Sequence, residues 1–353
     1  MLTLRNLRPW LVFLYKIFLS NFNLLKSPFR YTLVVTKKCK SRCTNCNIWN
    51  ESPKDEMTLD DFQKISKSAG SNLCWLNITG GEPTDRHDLP EIIRIFKTNC
   101  PNLLFVNLST NGLRPNHIEN IVQQIASLSI PVFAVNVSLD GPREINDQIR
   151  GIKGSFDKVI ETYKLIKKQN SVRSMLAMTL YESNFNLIKE TYLNVKKVLP
   201  DVSKSEFHFN LGHHSEHHYG NHNGISNPHQ KKQLLSAVKS FSRSFVPSIG
   251  PVSIIERMYR SKFERYFRTG KSPVECVALM SSVYISEKGD LYPCTIWNKN
   301  LGSILPDNQS IDGLLASETG KFLRKTIRES NCDNCWSPCE AFPSILGNLL
   351  PFK

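Results

Sequence analysis

The sequence predicts an α/β fold built on a parallel sheet. Two observations carry this expectation. From residue 31 onward, six β-rich runs alternate with amphipathic stretches, and each motif of chemical character falls just after one of those runs. Such a βα succession places helices outside a parallel sheet, either an open doubly wound sheet or a partial barrel. In both arrangements ligands gather at the carboxyl ends of the strands. A chain of 353 residues can bury a sizeable core as one large domain or as two.

The N-terminal segment comes first. Pro9 is placed to open a helix and Pro28 to stop one. Between them Trp10, Phe13, Leu14, Ile17, Phe18, Phe22 and Leu25 recur at helical spacing, and Leu11, Val12 and Tyr15 make the first turns apolar nearly all round. Lys16 and Asn21 interrupt the run, which is too short and too polar for a transmembrane span. Residues 1–50 hold nine of the chain's 45 Lys and Arg and no Asp or Glu, against a net charge of +14. The segment therefore reads as a helix in an anionic membrane interface, as a cap on the bottom of a barrel, or as a cleaved targeting segment. Its charges accompany a bulky apolar stripe rather than spaced stacking aromatics, so nucleic acid is not an expected partner.

Strands are expected at 31–36, 73–79, 103–109, 132–139, 172–180 and 205–211. Helical stretches fall at 58–69, 89–98, 115–127, 155–169, 186–198 and 229–245, with Thr58 as N-cap ahead of Asp60 and Asp61.

Ten cysteines are the unusual feature. Nothing resembles a secretory signal with a cleavage site, so disulfides are not their expected use. Eight fall in two groups, Cys39/Cys43/Cys46 and Cys276/Cys294/Cys332/Cys335/Cys339, while Cys74 and Cys100 read as small buried residues. Cys39, Cys43 and Cys46 follow the first strand in a C-x3-C-x2-C spacing. Three close thiolates can hold three corners of an iron–sulfur cubane and leave the fourth iron open. Structural zinc normally takes four ligands, often as two C-x2-C pairs, which this spacing does not match.

C-x3-C-x2-C after the first strand of a βα repeat resembles the radical SAM superfamily. Gly80-Gly81-Glu82-Pro83 after strand two is similar to that family's GGEP motif. Ser109-Thr110-Asn111-Gly112 after strand three and Ser138-Leu139-Asp140-Gly141 after strand four extend the likeness, as do Asn146-Asp147, Ile149-Arg150-Gly151 and Gly154-Ser155-Phe156. The resemblance implies a partial (βα)6 TIM-like barrel and a [4Fe–4S] cluster on Cys39, Cys43 and Cys46. It further implies S-adenosylmethionine held by Gly80, Gly81, Glu82, Ser109, Asn111, Ser138 and Arg150. One departure is Asn45, where the family usually carries an aromatic residue; Trp49 could cover the cluster or adenine instead.

The C-terminal element, Cys276-x12-Gly289-x4-Cys294 followed by Cys332-x2-Cys335-x3-Cys339, resembles a SPASM or twitch domain. Five cysteines are too few for two fully ligated cubanes, so the simplest count is one auxiliary cluster on three or four of them. C-x2-C pairs also suit zinc.

Seven of nine histidines lie between 208 and 229. His213, His214, His217 and His218 follow the sixth strand. They could contact an acidic substrate group, move protons, bind a metal, or belong to a polar loop.

The expected enzyme thus cleaves S-adenosylmethionine reductively and abstracts hydrogen from a substrate. No catalytic side chain beyond the cluster is assigned. The substrate is lipid-linked or a peptide, the reductant a ferredoxin or flavodoxin, and the location cytoplasmic, with peripheral attachment to the membrane face. A non-catalytic iron–sulfur or zinc protein is the competing class. The expected divisions are 1–29 (basic segment), 30–225 (barrel), 226–270 (helical connection), 271–345 (auxiliary cluster domain) and 346–353 (tail).

Overall fold

The computed structural model describes residues 4–51, 54–221, 228–243, 251–307 and 309–350. Six parallel strands pair in chain order: β1 (Arg30–Val34), β2 (Trp75–Thr79), β3 (Phe105–Thr110), β4 (Val132–Ser138), β5 (Val172–Leu180) and β6 (Phe207–Leu211). The barrel does not close, because β6 stands at one edge of the sheet and the free side of β1 is taken by another strand. That strand is β7 (Ser282–Ile285), which pairs parallel to β1 and turns into antiparallel β8 (Asp290–Tyr292) and β9 (Gly302–Ser303). The hairpin that lies between Cys276 and Cys294 is therefore sewn onto the barrel's own sheet.

Fourteen helices complete the described chain. They are α1 (Leu4–Asn21), α2 (Leu59–Ala69), α3 (Leu89–Asn99), α4 (Pro115–Ala126), α5 (Arg143–Arg150), α6 (Ser155–Lys167) and α7 (Ile188–Val198). After them come α8 (Glu216–Tyr219), α9 (Pro228–Arg243), α10 (Pro251–Ser261), α11 (Phe263–Thr269), α12 (Ile311–Ala316), α13 (Glu318–Arg328) and α14 (Pro338–Leu346). Thr58 caps α2 as its sequence indicates, in a reciprocal capping box with Asp61. The short α5 was not expected. Its signals are Pro142 ahead of the first turn and Gly151 in the left-handed conformation after the last.

Period-two alternation decides what the strands show to each side. On β3 and β4 the outward residues Val106, Leu108, Val135 and Val137 are fully buried against the helices. The inward residues Asn107, Ser109, Asn136 and Ser138 face a cavity of about 350 Å³. On these two strands carboxamides and hydroxyls alternate toward the cavity, which Trp75, Phe105, Met175 and Phe342 also line, and the packed core lies outside the sheet.

The N-terminal segment caps the barrel's lower end. Trp10, Phe13 and Ile17 of α1 pack on Phe29, Trp75, Leu104 and Phe105, with Phe13 and Phe105 in edge contact at 5.0 Å. Its boundaries differ from expectation: α1 spans Pro9 and ends at Asn21 rather than near Pro28. Asn23 adopts φ 57, and the Asn21 carboxamide ties Ile17 and Leu346 carbonyls, so the turn after Asn21 stops the helix before Pro28 is reached. The opposite face of α1 exposes Leu7, Leu11, Leu14, Tyr15 and Phe18, each between 45% and 59% exposed. Among the described residues no helix is long and apolar enough to cross a membrane.

Candidate active site

The loop after β1 carries Cys39, Cys43 and Cys46, and three neighbouring segments shape it. Gly81 N–H donates to Thr36 O at 2.7 Å and Glu82 N–H to Lys38 O at 2.8 Å. Both glycines are required for that approach. A Cβ on Gly80 would drive into the Thr36 carbonyl, and one on Gly81 would sit 2.6 Å from Lys37 O. From the other side Arg42 N–H donates to Arg150 O and Thr44 N–H to Ile149 O. The third support is Asn221, whose carboxamide donates to Asn45 O at 2.9 Å.

All three thiols open onto the main cavity, together with Gly80, Gly81, Ser109, Asn111, Ser138 and Arg150. Asn111 Nδ2 lies 4.0 Å from Cys39 Sγ, and Arg150 Nη1 lies 3.8 Å from Cys43 Sγ. Trp49 borders the same cavity under the Arg42 guanidinium, 4.7 Å from its ring centre, and its indole N–H has no partner among the described residues.

Glu82 departs from the expected arrangement. It is 2% exposed and does not line the main cavity. Its carboxylate accepts from Thr84 N–H and O–H, Thr110 O–H and Asn111 N–H, at 2.6–3.2 Å. The acid fastens the end of β2 to the end of β3, and its burial raises its pKa against those hydrogen bonds.

Burial also raises the pKa of Cys39 and pushes that of Cys46 up to about 12. Such thiols keep their hydrogens until an iron ion supplies the positive charge that water does not. Three cavity-facing sulfurs beside a carboxamide and a guanidinium fit a thiolate-held iron–sulfur cluster. Among the described residues no three His, Cys, Asp or Glu side chains converge as tightly as a single metal ion demands. A cubane spaces its thiolates more widely.

In the C-terminal region Cys276, Cys294, Cys332 and Cys335 line a second, smaller cavity, whereas Cys339 lines the main one. None of the ten cysteines is in a disulfide. Burial holds the thiols of Cys276 and Cys294 well above their usual range and that of Cys335 at about 12.

The histidines are mostly brackets between the barrel mouth and the C-terminal hairpin. Trp336 N–H donates to His213 Nε2 at 3.3 Å, and His217 Nε2 bonds Cys294 O at 3.0 Å. His217 also stacks on Tyr292. His218 bonds the Tyr284 hydroxyl at 3.1 Å. Of the expected substrate contacts only His218 borders the main cavity; His214 faces solvent, and His222 lies outside the described residues. Sequence reasoning missed the cavity's lower polar group, Arg30, Arg173, His208 and Glu256. His208 Nδ1 pairs with Glu256 Oε1, while Glu256 Oε2 is buried without a partner among the described residues. An isolated His or Glu on a strand or helix carries no sequence signal for such convergence.

Comparison with known proteins agrees with this geometry. A family model described as the radical SAM superfamily matches residues 33–193, and one described as an iron–sulfur cluster-binding domain matches residues 276–336. The antilisterial bacteriocin subtilosin biosynthesis protein AlbA of Bacillus subtilis is 24% identical over 82% of this chain and 60% of its own length. A probable GTP 3′,8-cyclase of Archaeoglobus fulgidus is 23% identical over 84% of this chain and 93% of its own. Among solved structures, native anSMEcpe with bound AdoMet and Kp18Cys peptide shares the fold. Its TM-score is 0.62 at 17% identity, covering 84% of this chain and 83% of that one.

Proposed function

Given that the chain belongs to the radical SAM superfamily and ends in an iron–sulfur cluster-binding domain, we propose that its main cavity performs radical chemistry on a polar, peptide-derived substrate. A reduced [4Fe–4S] cluster bearing S-adenosylmethionine supplies a 5′-deoxyadenosyl radical able to take hydrogen from an unreactive C–H bond. The observation that carries the reading is the convergence of Cys39, Cys43 and Cys46 with the strand-end polar residues on one cavity of about 350 Å³.

The chain's part is to hold, orient and exclude water. Cys39, Cys43 and Cys46 ligate the cluster. Backbone groups at Gly80 and Gly81, with Ser109, Asn111 and Ser138, bind the polar arms of the cofactor, and Arg150 supplies a cation for its carboxylate. Glu82 fixes these strand ends in place. Cys276, Cys294, Cys332 and Cys335 hold the auxiliary cluster, and a low-potential carrier of the ferredoxin or flavodoxin class supplies electrons. On this reading the working units are 30–225, 226–270 and 271–345, joined through the pairing of β1 with β7.

Asn77, Asn107, Asn136 and Asn210 line the cavity, which suits the amides of a peptide, and the names of AlbA and the anSMEcpe complex point the same way. The cyclase likeness makes a nucleotide the outcome to exclude. A membrane-bound substrate is a second reading, favoured by the apolar outer face of α1 beside exposed Arg8 and Lys26.

Anaerobic reconstitution followed by electron paramagnetic resonance tests the cofactor site. The reduced protein should show a cluster signal that S-adenosylmethionine perturbs, and Arg150→Gln should weaken that perturbation. A signal indifferent to S-adenosylmethionine contradicts the proposal.

A further inference from the structure

The five cysteines after residue 270 divide four to one. Cys276, Cys294, Cys332 and Cys335 border the smaller cavity, while Cys339 borders the main cavity with Cys39, Cys43 and Cys46. Four thiolates complete a [4Fe–4S] site, so a fifth is not needed there. The turn into α14 brings about the separation. Ser337 caps the helix by accepting from Cys339 N–H, and Pro338 opens its first turn, so Cys339 lies on α14 and borders the main cavity while Cys335 precedes the helix and borders the smaller one.

The surroundings of Cys339 are those of a binding site. Arg30, 2% exposed, borders the same cavity as Cys339 and, among the described residues, leaves its Nε without a partner. Glu256, 5% exposed, leaves Oε2 without a partner among the described residues, and both side chains border the main cavity. Buried charged groups with unmade hydrogen bonds mark a place that a polar molecule completes. Tyr219 borders the same cavity as Cys339 and Cys46.

We propose that Cys339 is a catalytic thiol, the donor that returns a hydrogen atom to the substrate radical; this rests on the radical SAM reading above. Abstraction leaves an unpaired electron on a substrate carbon. The Cys339 S–H bond then breaks homolytically, a C–H bond forms at that carbon, and the unpaired electron passes to sulfur. An S–H bond is weaker than an aliphatic C–H bond, so the transfer runs downhill. One electron from the ferredoxin- or flavodoxin-class carrier and one proton from solvent restore the thiol. The substrate leaves neither oxidised nor reduced. Its stereocentre is inverted where removal and return occur on opposite faces.

The test uses the full chain, anaerobically reconstituted, with Cys339→Ser and Cys335→Ser beside it. Iron content and iodoacetamide labelling report ligation without turnover. Cys339→Ser should keep the native iron, Cys335→Ser should lose roughly four irons, and Cys339 should be alkylated in the loaded native protein. Loss of roughly four irons from Cys339→Ser would overturn the proposal by making it a ligand. Turnover of S-adenosylmethionine alone in D2O with dithionite reports reach, because the exchanged thiol is then the weak bond on offer. The native chain should place deuterium in 5′-deoxyadenosine and Cys339→Ser should not. Equal deuterium in both contradicts the assignment. No 5′-deoxyadenosine from the native chain would remove the underlying reading, and the proposal with it.

Discussion

The Arg150 guanidinium donates to the Asp140 carboxylate at 2.6 Å, and both side chains are about nine-tenths buried, at 12% and 9% exposure. Asp140 in turn accepts from Thr179 N–H, so the pair ties the C-terminal end of α5 to the ends of β4 and β5. Arg150 also reaches Cys43. Removing it leaves a buried carboxylate without its cation, at a cost on the order of 3 kcal/mol. Arg150→Met should therefore lower the unfolding midpoint as well as weaken cofactor binding. Denaturant titration of the reconstituted protein checks the first effect separately from the second.

Gly81 offers a sharper separation of structure from chemistry. A Cβ there would press on Lys37 O and Lys38 O, the backbone that leads into Cys39. Gly81→Ala should displace the cysteine loop and lose roughly four irons while the auxiliary site keeps its own. Unchanged iron in this variant would show that the loop is set elsewhere.

The acid limb of stability should report on the histidine brackets. Burial lowers the pKa of His213 and His217 to about 4 and of His218 to about 3. Their folded-state values lie below the unfolded value, so between about pH 6.5 and pH 4 the unfolded chain takes up protons that the native state refuses. Stability is therefore full above pH 6.5 and falls as pH drops. His218→Gln should flatten that fall by up to about 1.4 kcal/mol per pH unit. Unfolding curves at pH 7.5 and 5.5 decide it.

Much of the main cavity's upper lining was legible in the sequence, because the motifs follow particular strands at fixed spacing. The cysteine triad, the glycine pair and Ser109, Asn111, Ser138 and Arg150 do converge on one cavity. Glu82 turns away from that cavity, since spacing cannot tell whether Thr84, Thr110 and Asn111 will claim its oxygens. The histidines illustrate the same limit: a cluster in sequence became a row of brackets because Tyr284, Cys294 and Trp336 arrive from more than sixty residues away. The pairing of β7 with β1 was likewise hidden. Nothing local in Ser282–Ile285 specifies which sheet edge it will join.

The two faces of α1 give a separate expectation. Its inner face holds the barrel bottom through Phe13 and Ile17, and its outer face presents Leu11, Leu14 and Phe18. Leu11→Ser with Phe18→Ser should leave the fold intact and abolish flotation with anionic vesicles. Flotation unchanged by these substitutions, or absent from the native protein, contradicts the membrane reading.

The central claim is that Cys39, Cys43 and Cys46 hold the cluster that cleaves S-adenosylmethionine. Its most direct test is an anaerobic assay of 5′-deoxyadenosine formation by the reconstituted, dithionite-reduced protein, beside a variant with alanine at all three positions. The account predicts product from the native chain alone, with roughly four irons missing from the variant. Product from both proteins, or equal iron in both, would contradict it.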